Sequence, residues 1–157
     1  MEKIKFREAK KEDVPELIKL VERLKRLNEE FDPLFKVRDD ISVQSKKYLE
    51  TAVGRDDRFI LLAESNGKIY GLLKAELRES MFYEPRKEGA IIEFYLMPEL
   101  RHGGIGKKML DEAIARLKKR GVKLVTAEFP TNNKIAIEFY TKQGFRPIVY
   151  IFGKAIK

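Results

Sequence analysis

One run constrains the fold of this chain more than any other. Residues 90–110 read AIIEFYLMPELRHGGIGKKML. Ala90 to Met97 is apolar on both faces except at Glu93, the pattern of a strand buried inside a sheet. Pro98 ends that strand, because proline cannot donate to a central ladder. Glycines at 103, 104 and 106 remove side chains where the chain must turn sharply. Ile105 then opens a helix with Met109, Leu110, Ala113, Ile114 and Leu117 on its buried face and Gly121 as the cap beyond its end. A strand that passes through glycines into a helix aims the first free N–H groups of that helix, and its dipole, at one place. Such a place suits an anion, and Arg101, Lys107 and Lys108 add positive charge around it. A pyrophosphate fits this description.

The charge distribution agrees. The net charge of +8 is confined to residues 98–157, which hold 13 basic and 5 acidic residues, whereas residues 1–97 hold 20 of each. A basic half suits an anionic partner, a nucleic acid or a phosphorylated cofactor, or else is a solvated, net-positive surface. Two common nucleotide motifs are absent. The triphosphate loop needs a glycine where Arg101 stands and Ser or Thr where Lys108 stands. The dinucleotide fingerprint needs a third glycine where Met109 stands.

The rest of the chain alternates strand and helix signals. Ile4 and Phe6 open a short strand. Asp13 stands as an N-cap with Glu16 as its reciprocal partner, ahead of a helical stripe of Val14, Leu17, Ile18, Val21, Leu24 and Leu27 that ends near Asn28. A loop follows, then a helix over 42–52. Strands over 59–64 and 69–77 flank an Asn66-Gly67 hairpin turn. Further strands are expected over 122–129 and 145–153, with a helix from Asn133 to Gln143 between them. The predicted order is β-α-α-β-β-β-α-β-α-β, a mixed sheet with helices on its faces in a single domain spanning 1–157.

The chain has no cysteine and one histidine, His102, which removes thiolate chemistry and Cys-built metal sites; no metal is expected. No apolar run reaches bilayer length, and the N-terminus lacks a signal-peptide core, so a cytoplasmic protein without membrane association is expected. Abundant Lys and Glu with few Asn and Gln lean toward heat adaptation. Helix-turn-helix, zinc-ligand and basic-aromatic signatures are missing, so no nucleic-acid partner is expected.

The elements Arg101-x-x-Gly104-x-Gly106, the incoming strand EFYLMPEL, and the later stretch NNKIAIEFYTKQGF, with Asn133, Ala136, Tyr140, Gly144 and Phe145, together resemble the GCN5-related N-acetyltransferase superfamily. The resemblance covers the layout of nearly the whole chain and is specific from about residue 90 to 147. It implies the acyl-CoA N-acyltransferase fold, a mostly antiparallel twisted sheet in which two parallel strands splay apart. It implies an acceptor-side half over 1–89 and an acetyl-CoA-binding half over 90–157. It implies that acetyl-CoA lies between the strand 91–97 and the strand 123–129, held by the backbone of Leu96 and Met97 and by the turn Arg101, His102, Gly103, Gly104, Ile105, Gly106 and Lys107. It also implies Tyr140 as the acid that protonates the leaving thiolate, in contact with the cofactor, and Asn133 as a contact to the cofactor arm.

The residues leave alternatives beside each role. Tyr140 can equally be a packing aromatic next to Ile137 and Phe139, and Asn133 a helix cap. Glu93 is the base candidate, on the face shared by Ile91, Tyr95 and Met97 by strand alternation; it can instead pair with a Lys or Arg, or only orient a substrate ammonium. His102 reads as a solvated side chain near phosphates, and Glu128 as a surface charge rather than pocket lining. The acceptor site is expected between residues 24–40 and 80–88, where Glu29, Glu30, Asp32, Asp39 and Asp40 form an acidic rim or simply face water, and where Phe82 and Tyr83 close the pocket or anchor the loop. The acceptor is expected to be a small-molecule amine or a peptide N-terminus. A non-catalytic CoA-binding module and a basic nucleic-acid-binding domain are the alternatives. The resemblance allows a homodimer, and the apolar end IVYIFGKAIK is suited to pairing.

Overall fold

The structure, a computed structural model, describes residues 3–157. Five strands form one sheet in the order β1 (Lys5–Glu8), β2 (Arg58–Ser65), β3 (Lys68–Glu79), β4 (Lys87–Leu96) and β5 (Leu124–Ala127). The first four are antiparallel, and β5 joins β4 in parallel. The helices are α1 (Val14–Phe31), α2 (Ile41–Ala52), α3 (Ile105–Lys119) and α4 (Lys134–Lys142). Helix α3 is the crossover that a parallel pair requires. This is the expected mixed, mostly antiparallel sheet flanked by helices.

Each face of the sheet carries its own core. On one face, Leu17, Leu20, Val21 and Leu24 of α1 and Leu49 of α2 pack on Ile60, Leu62, Leu72 and Tyr95. On the other, Met109, Leu110, Ala113 and Leu117 of α3 and Tyr140 of α4 pack on Leu61, Leu73, Ala75, Ile91 and Leu96. The hairpin turn forms as its sequence dictates, with Asn66 and Gly67 both at positive φ (52° and 75°). Helix α3 ends in a Schellman cap: Gly121 takes φ +84°, Val122 N–H reaches Leu117 O at 3.1 Å and Gly121 N–H reaches Lys118 O at 3.0 Å.

Two features of β4 prepare the site. First, the β3–β4 register jumps from Lys74↔Glu93 to Ala75↔Ile91, so Ile92 is an extra, bulged residue. A one-residue insertion reverses the faces. Ile91 therefore belongs to the α3 core while Tyr95 belongs to the α1 core, and the expectation that Glu93 shares a face with Ile91 is corrected. Second, the β4–β5 ladder ends at Ile91↔Ala127, with Glu128 N–H donating to Ile91 O at 3.0 Å. β4 continues to Leu96 without β5 beside it, so the two parallel strands splay.

Other expectations change. Asp13 does not cap α1 with its side chain; its carboxylate accepts from Lys10 N–H and from Arg7, and Glu16 instead accepts from Ile69 N–H at 3.1 Å. The guanidinium of Arg7 is the stronger partner and holds the Asp13 carboxyl below the usual range. Helix α1 runs three residues past Asn28, because Asp32 is the residue that leaves helical geometry and caps the short turn Pro33–Phe35. β5 is shorter than expected, since Val122 is used by the cap of α3 and Glu128 lies where β4 departs. The strand expected over 145–153 does not form, and residues 146–157 carry no regular secondary structure. A strand exists only with a ladder partner, and among the described residues this segment has none.

Gly71 marks where β3 and β4 approach most closely: a Cβ there would sit 2.5 Å from Leu96 Cδ2 and 3.0 Å from Tyr95 O. Gly71→Ala is expected to lower stability by about 1–3 kcal/mol through overpacking, read as a lower midpoint in a thermal melt.

Candidate active site

The gap between β4 and β5 is the natural place for an extended ligand. Met97 N–H donates to Tyr70 O on β3 at 2.8 Å, and Met97 O accepts from Leu100 N–H at 2.9 Å. Both backbone groups of Met97 are thus taken, which corrects its expected role as a donor to a ligand in the gap. Backbone direction alternates along a strand, so Leu96, and Phe94 two residues earlier, turn theirs away from β3, toward the gap. The N–H of Leu96 and the backbone of Phe94 therefore face the gap. Arg101 Nε donates to Leu96 O at 2.9 Å, and its guanidinium lies 5.5 Å from the Tyr95 ring centroid. Its side chain therefore fixes the end of β4 rather than standing free.

The turn after β4 is open and preorganised. Gly103 and Gly104 have φ of +80° and +75°, with nothing within 4 Å of a Cβ built on either. Gly106 differs: a Cβ there would meet Phe139 at 3.4 Å and Leu96 at 3.6 Å, so its small size serves packing. The first helical bond is Lys108 N–H to Gly104 O at 3.1 Å, and among the described residues the N–H groups of His102 through Lys107 make no backbone hydrogen bond. That set of orphan donors at a helix N-terminus can hold a pyrophosphate. His102 is exposed beside it. Lys107 pairs with Asp111 at 2.8 Å on the surface. Because holding positive φ costs a non-glycine residue about 1–2 kcal/mol, Gly104→Ala is expected to lower stability by about that amount or to shift the turn and weaken CoA binding about tenfold, measured by a thermal melt and by titration calorimetry.

Tyr140 comes from the α3/α4 face. Its ring stacks on Phe129 at 5.3 Å between centroids and meets Phe139 and Phe145 edge-on at 5.2 and 5.1 Å. Burial pushes its phenol well above the usual tyrosine range, so it remains a proton donor throughout neutral pH. Among the described residues its hydroxyl makes no hydrogen bond. Ile137 does not share this packing; it is exposed on the outer side of α4. Asn133 is the N-cap of α4, its Oδ1 accepting from Ala136 N–H at 3.1 Å. Asn132 ties the same loop to the end of α1, donating to Phe31 O at 2.9 Å.

Glu93 comes from the opposite face and is buried, at 6% exposure. Its two oxygens accept from Lys25 Nζ at 2.7 Å and from Tyr48 OH at 2.9 Å. Tyr48 is in turn covered by Lys74, whose Nζ lies 3.8 Å from the ring centroid and bonds Glu76 at 3.1 Å. Burial lowers the Lys74 ammonium and raises the Tyr48 phenol, and the nearby Glu93 charge adds to the latter. Lys25, Tyr48 and Lys74 were not picked out by sequence. The one available signal was Lys74, a charge interrupting the apolar strand IYGLLKAEL.

The acidic rim is largely consumed by local structure. Glu29 accepts from Val37 N–H at 2.6 Å, Asp32 from Leu34 N–H at 2.9 Å, and Asp40 pairs with Arg38 and Gln44. Glu128 pairs with Arg78 at 3.4 Å on the surface. Met81, Phe82 and Tyr83 all project into solvent. Among the described residues no cluster of three or more His, Asp or Glu gathers as metal ligands, and no helix is long and apolar enough to cross a membrane.

Residues 21–145 match the model of the Acetyltransferase (GNAT) family. An uncharacterized N-acetyltransferase of Methanocaldococcus jannaschii is 34% identical over 98 residues, which is 62% of this chain and 43% of that protein. An uncharacterized N-acetyltransferase of Archaeoglobus fulgidus is 26% identical over 144 residues, 91% of this chain and 93% of that one. Among solved structures, a Clostridium acetobutylicum protein described as a predicted acetyltransferase, crystallised with acetyl-CoA, matches with a TM-score of 0.77 at 18% identity, over 98% of this chain and 96% of its own. At that identity the likeness concerns the fold.

Proposed function

The chain belongs to the acetyltransferase (GNAT) family, and on that premise we propose that it transfers the acetyl group of acetyl-CoA directly to a primary amine of a small molecule or a peptide N-terminus. The observation that carries this is the arrangement around the β4–β5 gap: the backbone N–H of Leu96 and the backbone of Phe94 facing it, the orphan N–H groups of the 102–107 turn beyond it, and Glu93 and Tyr140 on opposite faces of the sheet. Residues 90–157 supply the acetyl-CoA side and residues 1–89 the acceptor side of one domain.

The chemistry follows from the reacting groups. An amine is protonated near neutral pH and must lose a proton before it attacks. Its nitrogen then bonds the thioester carbon, the C–S bond breaks, and the sulfur leaves as a thiolate that needs a proton. Glu93 is assigned to removal of the amine proton. Because both its oxygens already hold partners, the amine either displaces the Lys25 ammonium, which is a third exposed, or passes its proton through water. Tyr140, kept protonated by burial, is assigned to the sulfur. Donors fixed before the reaction stabilise developing charge at least cost.

Few rim carboxylates are free, which favours recognition of the acceptor by shape and by Glu93 rather than by a broad acidic surface. A screen of polyamines, amino acids, aminoglycosides and N-terminal peptides, read by release of free CoA thiol, tests the activity. Amine-dependent thiol release is the expected result. CoA binding without turnover on any amine would favour a regulatory module on the same fold.

A further inference from the structure

Among the described residues two charged side chains are buried, Lys74 at 1% and Glu93 at 6% exposure. They are register partners across β3 and β4, beside the bulge at Ile92. Opposite charges so placed would ordinarily pair, since a buried charge needs a partner. Among the described residues no ion pair joins them. Lys74 Nζ bonds Glu76 at 3.1 Å, and Tyr48 of α2 links the two charges instead. Its hydroxyl donates to Glu93 Oε2 at 2.9 Å, while the Lys74 ammonium lies 3.8 Å from its ring centroid.

This arrangement suits a carboxylate that must be held in place and yet stay available. A direct bond from a buried ammonium would lock Glu93 into a lasting ion pair. A phenol orients one oxygen through a neutral donor and leaves the other to a cation that can depart. Lys25 on Oε1 is that cation, a third exposed and carried on a flexible stem. Tyr48 is less free to move, because the Lys74 cation backs its ring. Burial, with the Glu93 charge adding to it, raises the phenol above the ordinary tyrosine range, so it stays a donor across neutral pH. Leu49 and Ala52, both fully buried, dock α2 on the sheet without help from the hydroxyl.

We propose that Tyr48 is the positioning residue for Glu93, holding Oε2 so that Oε1 faces the acceptor amine, and that Lys74 acts through Tyr48 by fixing its ring. The assignment rests on the reading of Glu93 as the base. When the acceptor amine takes the place of Lys25, Tyr48 is the partner that stays. Without it the carboxylate is free to turn, and misplacing a reacting group by about 1 Å can lower the rate about 100-fold.

Tyr48→Phe keeps the ring and removes the hydroxyl. The acceptor for the test is the amine that gives most thiol release in the screen of polyamines, amino acids, aminoglycosides and peptides. With it, kcat is expected to fall about tenfold or more, while the KM for the amine, the affinity for CoA and the melting temperature stay near wild type. The decisive readout is coupling to Glu93. In the Glu93→Gln background the same substitution is expected to leave kcat unchanged, because no base remains to be positioned. Lys74→Met is expected to lower kcat in the wild type and to add nothing in Tyr48→Phe; an unaffected Lys74→Met would remove Lys74 from the assignment. A loss confined to KM, or a loss of equal size on Glu93→Gln, would overturn the role of Tyr48. A fully active Tyr48→Phe beside an impaired Glu93→Gln would overturn this inference alone. A fully active Glu93→Gln, or a wild type that releases no thiol with any amine, would overturn the base assignment with it.

Discussion

Replacing Tyr140 by phenylalanine is expected to lower kcat for acetyl transfer by about 100-fold or more, the usual contribution of a positioned general acid, with little change in affinity for acetyl-CoA. The substitution removes only the hydroxyl. The phenyl ring keeps the stack on Phe129 and the edge contacts to Phe139 and Phe145, so the melting temperature should stay within a few degrees. Steady-state kinetics with calorimetric titration of CoA separates the two quantities. A full kcat in Tyr140→Phe would reduce this residue to a packing aromatic. The pH profile offers a second check. Burial raises the phenol above its ordinary value, so no falling limb from this group is expected between pH 6 and 9. The sign also fixes its effect on stability: the buried neutral phenol is without penalty below the ordinary tyrosine pKa of about 10. Above that pH the unfolded chain ionises first, so stability is lost.

The second large effect is expected at Glu93. Glu93→Gln keeps the size of the side chain and an acceptor for Tyr48 OH but removes the charge. A loss of about 100-fold in kcat/KM is expected, with CoA affinity unchanged. The structural cost should be modest, because Lys25, the partner left without a counter-charge, is a third exposed and remains hydrated. Lys25→Met is the informative companion. If the acceptor amine takes the place of the Lys25 ammonium, this variant should bind cationic acceptors more tightly, as a lower KM. If Lys25 only neutralises a structural carboxylate, KM should not move and the melting temperature should fall. Unchanged turnover in Glu93→Gln would remove the base assignment.

Some of this site was legible in the residues themselves. The glycine turn, the buried strand before it and the helix after it stand where the sequence predicts. Positive φ at Gly103 and Gly104, proline at the strand end and a 3.6-residue stripe on α3 are local properties that any tertiary environment must respect. Asn133 as an N-cap is of the same kind. Misassignments arose where a local pattern had to compete with distant partners. Asp13 carries a sound capping signature, yet the Arg7 guanidinium is a stronger hydrogen-bonding partner than a helix N–H. Alternation along β4 was counted correctly in sequence, but the extra residue at Ile92 turned Ile91 to the opposite face from Glu93.

The sequence alone determined the order of elements from β1 to α4, the position of the anion-binding turn and the identity of the two titratable groups worth testing, because each rests on spacing within a dozen residues. Only the tertiary structure decided what those groups touch. Lys25 and Tyr48 lie 68 and 45 positions from Glu93, and their meeting depends on strand register and helix docking, which no local period encodes. The same holds at the C-terminus. The run Ile148–Phe152 has the composition of a strand, but a strand is defined by the edge it pairs with, and among the described residues this run pairs with none.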